Sequence, residues 1–296
     1  MRIDTLKLIT LLIILAFQGP ATCCGADETF DLRSPSMPQG STVRDYNHFL
    51  LGPAEATLTM AGREAHSTMT IVGTTLDDET VVRLSKGQLV DYKDHVLLKV
   101  GSDSFEAGGG PDVEIENDAL EGSTIQFTRN DNTWSRQLLD HAPSSDEKKA
   151  LDQLSDPTDD SIAYPLERVS IGRSWMVSGD TLKALMGGGP LHLVGGYAQL
   201  TFAGVSEIKG DSCAVVDLTL HATVRMEMGD GKDLGAAFVG TGRILRSLRT
   251  GLERQSWIRG ETVFGGQWAT ENGTMDATIR GPFLMTGTNR LVGSGE

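Results

Sequence analysis

Residues 216–228 alternate in character one by one. Val216, Leu218, Leu220, Ala222, Val224, Met226 and Met228 hold one set of positions, and Asp217, Thr219, His221, Thr223, Arg225 and Glu227 hold the other. A period of two belongs to an extended strand, whose successive side chains point to opposite faces; wound into a helix, the same residues would scatter their apolar set around the axis. This stretch therefore predicts a long strand with one buried and one wet face. Its backbone donors and acceptors must in turn be met by neighbouring strands.

Turn chemistry follows at Gly229, Asp230, Gly231 and Asp233, and the pattern continues. Residues 242–247 and 253–262 read as a hairpin about Thr250-Gly251, and residues 275–286 as a last strand in which Pro282 implies an edge or a bend. Shorter strands are expected near residues 56–61, 67–72, 80–84, 96–100, 112–116 and 123–129. The last of these turns back through Asn130-Asp131-Asn132 toward Trp134. Helical signals are few. Ser144 and Glu147 have the spacing of a capping box ahead of Ala150, Leu151 and Leu154, and a second short helix is expected from Ser178 or Asp180 through Leu182 and Leu185. The fold class is therefore mainly β, α+β at most: antiparallel strands forming a curved sheet, half-barrel or sandwich with one or two short helices. The expected organisation is a leader over 1–26, an N-terminal β-rich half over 27–143, a helical and acidic connector over 144–160, and a C-terminal β-rich half over 161–296.

Arg2 and Lys7 precede an apolar run over residues 8–17 that ends at Gln18-Gly19-Pro20, with small residues up to Ala26. A spanning helix needs about 20 apolar residues, so this reads as a secretory signal and predicts an exported protein, periplasmic or secreted, with no transmembrane segment once the signal is removed. Cys23 and Cys24 lie at the cleavage region, but neither follows the Leu-Ala/Ser-Gly/Ala pattern of a lipoprotein signal, which disfavours acylation there. Cys213, in a strand pattern, reads as a small buried hydrophobe. A formal net charge of −14 repels phosphate backbones and anionic headgroups, which excludes nucleic acid as an expected partner.

Residues 164–175 carry Val169-Ser170-Ile171-Gly172-Arg173-Ser174-Trp175 after Tyr164-Pro165. This resembles a Val-x-x-Gly-x-Ser/Thr-Trp element of exported bacterial β-rich domains of unknown function. The resemblance extends over roughly residues 50–270, with Arg173 where an acidic residue is commoner. It implies a β-rich exported domain and supplies no activity. Physically, Gly172 permits a tight turn and Trp175 can bury a large apolar area beside it.

Candidate chemistry is sparse. His-Glu-x-x-His, Cys-x-x-Cys, Gly-x-Ser-x-Gly and phosphate-loop patterns do not occur, and the six histidines lack metal-ligand spacing, so no cofactor and no metal are expected. Two sets of residues remain. Trp175, Leu218, Leu220, Val224, Met226 and Met228 could line a pocket for an apolar ligand or lipid, or could form plain core. Asp217, His221 and Arg225 share the opposite face of one strand and are the polar candidates. The expected role is non-catalytic binding; the alternative is an envelope structural or interaction protein, its partner another envelope protein, and an enzyme built around His221 ranks below both.

Overall fold

A computed structural model describes residues 28–33, 37–85, 88–106, 111–131, 133–154, 156–157, 160–186, 191–227, 233–270 and 273–293. The leader with Cys23 and Cys24, and Met228, lie outside the described residues, as does the side chain of Met226.

The alternating segment is strand β11, Asp211–Glu227, of a single antiparallel sheet of twelve strands. Two meanders build that sheet. The first comprises β2 (Thr42–Met60), β3 (Arg63–Ser85) and β4 (Gln88–Glu106), with β5 (Pro111–Asn117), β6 (Thr124–Asn130) and β7 (Thr133–Leu138) beyond β4. The second comprises β9 (Ser174–Ser178), β10 (Leu191–Ile208), β11, β12 (Asp233–Ser247), β13 (Glu253–Thr270) and β14 (Gly273–Leu291). They meet where β14 pairs with β2, so the N-terminal and C-terminal halves share one sheet, which curves without closing into a barrel. Pro282 makes a bend and not an edge: β14 lies between β13 and β2, and its register with β2 shifts between Arg280 and Phe283.

Helix α1 (Ser145–Gln153) begins as its sequence dictates. Ser144 Oγ accepts from the Glu147 N–H at 3.3 Å, and the Glu147 carboxylate accepts from the Ser144 N–H at 2.8 Å. These backbone bonds, with the Ser144 and His141 side chains, pull the Glu147 carboxyl down to about 2. Leu151 of α1 joins a small core with Val96, Leu120, Ile125, Phe127 and Leu138.

The main core lies on the concave face of the second meander. A strap of chain covers that face: β1 (Thr29–Phe30) paired with β8 (Val169–Ser170), a 3₁₀ turn over Asp160–Ala163, and helix α2 (Asp180–Met186). Leu32, Tyr164, Val169 and Leu182 from the strap pack with Leu200, Phe202, Val216, Leu218, Leu220 and Val224 from the sheet, and Phe30 meets Phe202 edge to face at 5.3 Å. At Gly172 (φ +87°) the chain turns from β8 into β9; its N–H donates to the Phe202 carbonyl at 2.7 Å, while the Phe202 N–H donates to the Arg173 carbonyl at 2.9 Å. Trp175, across from Leu200, donates from Nε1 to the Ala163 carbonyl at 2.9 Å and so fastens the 3₁₀ turn to the sheet.

Close approach of β12 and β13 requires glycine at the concave face. A Cβ at Gly260 would overlap the Val239 carbonyl oxygen, and one at Gly240 would lie 2.6 Å from the Arg259 carbonyl oxygen. Neither obstacle is a side chain that can swing aside. Gly260→Ala is therefore expected to cost about 3 kcal/mol in chemical denaturation, through forced separation of the two strands.

Candidate functional site

Antiparallel pairing turns the wet side of β11 into a broad polar surface. In one row Thr201, Asp217, Arg243 and Trp257 lie side by side on β10, β11, β12 and β13; in the next, Gln199, Thr219, Thr241 and Arg259 do the same. Between the rows runs a groove of about 360 Å³, lined by Gln199, Thr201, Asp217, Thr219, Thr241, Arg243 and Trp257, and by Leu218 and Gly242 of its floor strands.

Arg243 Nε donates to Asp217 Oδ1 at 2.7 Å. With Arg243 32% and Asp217 46% exposed, this ion pair contributes at most about 1 kcal/mol to stability. Its significance lies in the donors and acceptors it holds at the solvent boundary. The Arg259 guanidinium sits 5.4 Å from the Trp257 ring centroid, which braces the indole beside the groove. Amide, hydroxyl, carboxylate, guanidinium and indole thus converge, which is donor and acceptor chemistry with one flat apolar surface.

Of the polar candidates, only Asp217 enters the groove. His221 lies one row on, stacked on Tyr197 with ring centroids 4.9 Å apart, and no carboxylate among the described residues hydrogen-bonds to it. Arg225 is exposed on the same face, four residues beyond His221 in β11 and outside the groove. The apolar set divides differently. Leu218, Leu220 and Val224 are 1–3% exposed and packed under the strap, and Trp175 is partly buried with its N–H committed to Ala163. Arg243 and Trp257 are not legible from β11 alone. Each sits on its own strand at a period-two position, Arg243 with Thr241 and Trp257 with Arg259, but only the register reveals that they adjoin Asp217.

A second cluster lies on the concave face of the first meander. Asp45 faces Asp77 directly across β2 and β3, and Glu79 faces Asp94 directly across β3 and β4. Asn47 Nδ2 donates to Asp45 at 2.7 Å, whereas Asp94 Oδ1 is buried with no hydrogen-bond partner. Lys99, on the next part of β4, is committed to Asp118 at 2.5 Å. Burial, followed by the charge of Asp94, pushes Asp77 up to about 7 and Glu79 to about 8; burial and the charge of Asp45 bring Asp94 to about 6. Among the described residues no group of three or more His, Cys, Asp or Glu side chains has metal-binding geometry.

These carboxyls hold their protons more tightly folded than unfolded, so folding takes up protons and the resulting stability is lost as pH rises from about 5 to 8. The melting temperature is expected to rise by roughly 4–8 °C between pH 8.5 and pH 5.5, equivalent to about 2 kcal/mol. Glu79→Gln should raise it at pH 8.5 and flatten the dependence. Differential scanning fluorimetry across that range checks both.

Neither family models nor curated proteins show a match to this chain. Among solved structures, an outer membrane channel from Pseudomonas putida F1 aligns with 90% of this chain and 100% of its own at 10% identity, with a TM-score of 0.22. At that score neither fold nor role transfers.

Proposed function

We propose that this chain is an exported, non-catalytic binding protein that takes a neutral, hydroxyl-rich ligand of the sugar class in the outer groove. The observation that carries the proposal is the convergence of the Asp217–Arg243 pair, the Trp257 ring and the side chains of Gln199, Thr201, Thr219 and Thr241 around one groove of about 360 Å³. A pyranose presents alternating hydroxyls, which suit a carboxylate and guanidinium held side by side, and a C–H face, which suits an indole. An overall charge of −14 favours an uncharged ligand over an acidic one. Export rests on the leader-like residues 1–26. An apolar ligand lodged against Leu218, Leu220 and Val224 has less support, because the strap already occupies that face.

Titration calorimetry with a panel of neutral oligosaccharides is expected to find binding that Trp257→Ala and Arg243→Ala each weaken at least tenfold, with melting temperatures within a few degrees of the parent. Uniform absence of binding, or affinities untouched by both substitutions, overturns the reading.

A second reading, an envelope interaction protein, draws on β9. This short strand ends the sheet, and near its margin Met176, Val194 and Tyr197 are 40–68% exposed. A partner strand could add there. A concentration-dependent multimer abolished by Met176→Lys would favour it over the groove.

A further inference from the structure

On the same outer face, beginning one row beyond Trp257 toward the β10–β11 turn, the sheet gathers positive charge. Arg290 of β14 and Arg44 of β2 are directly opposite one another, and Asp78 of β3 and His95 of β4 continue the same row. Like charges so placed repel. Arg44 is compensated, since its Nε and Nη2 each donate to an Asp78 carboxylate oxygen at 2.7 Å. Arg290 has no ion pair among the described residues. Lys209, set in the β10–β11 turn with φ +48°, is exposed and brings a further cation to the same place. Arg254, only 6% exposed, stands behind with its guanidinium 3.6 Å from the buried carboxylate of Asp211. Between these groups lies a pocket of about 270 Å³, walled also by Tyr46, Leu76, Ile208, Gln255, Thr288 and Asn289.

Four cationic side chains therefore line one pocket of a chain whose net charge is −14; Asp78 pairs with Arg44 and Asp211 with Arg254. We infer that this pocket is a binding site for a small phosphate monoester, with Arg290 and Lys209 as its principal ligands and Arg44, oriented by Asp78, as the third. A phosphate dianion matches the charges of Arg290 and Lys209, neither of which makes an ion pair among the described residues, and guanidinium groups meet its oxygens in pairs. Tyr46, Gln255 and Thr288 add a phenol, an amide and a hydroxyl for the remaining oxygens or the esterified group. The volume admits more than bare phosphate. Extended polyanions and anionic bilayers are excluded by the charge of the rest of the molecule, whose field acts over a Debye length of about 8–10 Å, while a small anion passes inside it. This site is separate from the groove of the proposed function and does not depend on it.

The test uses the whole chain and three probes: inorganic phosphate, glycerol phosphate and, as a monovalent control, acetate, titrated by calorimetry at fixed ionic strength. Phosphate and glycerol phosphate are expected to bind one per chain, acetate at least tenfold more weakly. Arg290→Gln and Lys209→Gln, both at exposed positions that should fold normally, are each expected to weaken phosphate binding at least fivefold. Asp78→Asn frees Arg44 from its competitor and is expected to tighten it, a gain that a purely structural role for the row would not produce. Absence of saturable binding, equal affinity for acetate, or unchanged affinity in both Arg290→Gln and Lys209→Gln overturns the site. Vesicles of phosphatidic acid form the last arm: retention of the chain on them would assign the site to a lipid headgroup and overturn the assignment to a soluble ester.

Discussion

One buried guanidinium holds the architecture together. Arg246, on the concave side of β12 and with a side chain 3% exposed, donates from Nε to the Leu32 carbonyl at 2.8 Å and from Nη1 to Asp160 at 2.9 Å. It also lies 3.9 Å from the Glu253 carboxylate and 4.2 Å from the centre of the Tyr164 ring, whose hydroxyl donates to Glu253 at 2.6 Å. A charge this deep is tolerated only when its donors are matched, and removing one partner of such a network typically costs about 3–5 kcal/mol. The partners come from the N-terminal segment, the 3₁₀ turn and β13. Arg246 therefore ties both ends of the strap to the sheet. The same burial raises the Glu253 carboxyl above its ordinary range.

With the strap in place the two faces of the sheet have different fates. The concave face of the second meander is consumed by folding: Leu200, Phe202, Leu218 and Leu220 meet Leu32, Tyr164, Val169 and Leu182. Strain accumulates farther along the concave side, where β2, β3 and β4 place four carboxyls in facing pairs. The convex face keeps its polar rows open to solvent, and both described pockets lie on it, the neutral groove about Asp217–Arg243 and the basic one about Arg44 and Arg290. A ligand taken up on the outer face would leave the core undisturbed.

The strand period of β11 was legible because it is uninterrupted, and so was the Ser144–Glu147 cap, because both of its members are local. The long strands of the first meander were read as fragments. Gly73 and Gly101, which follow the expected segments 67–72 and 96–100, lie inside β3 and β4, where the neighbouring strands carry them through without a turn. Pro282 implies an edge or a bend because a proline lacks a donor, and the bend is what occurs: a register shift lets an interior strand accept it. The outer sites depend on pairing between strands far apart in sequence. Arg290 and Arg44 are the clearest case: nothing local places the last strand beside the second. Asp217 sits on the face that its alternation implies, but its partner becomes visible only with the β11–β12 register.

An Arg246-centred strap seals the concave face. Hydrogen exchange of the Arg246→Gln variant against the parent, followed by mass spectrometry, addresses it most directly. Residues 28–33, 160–170 and 180–186 are expected to lose protection together while β10 and β11 keep theirs. Unchanged protection in the strap, or loss confined to one of its two ends, would contradict it.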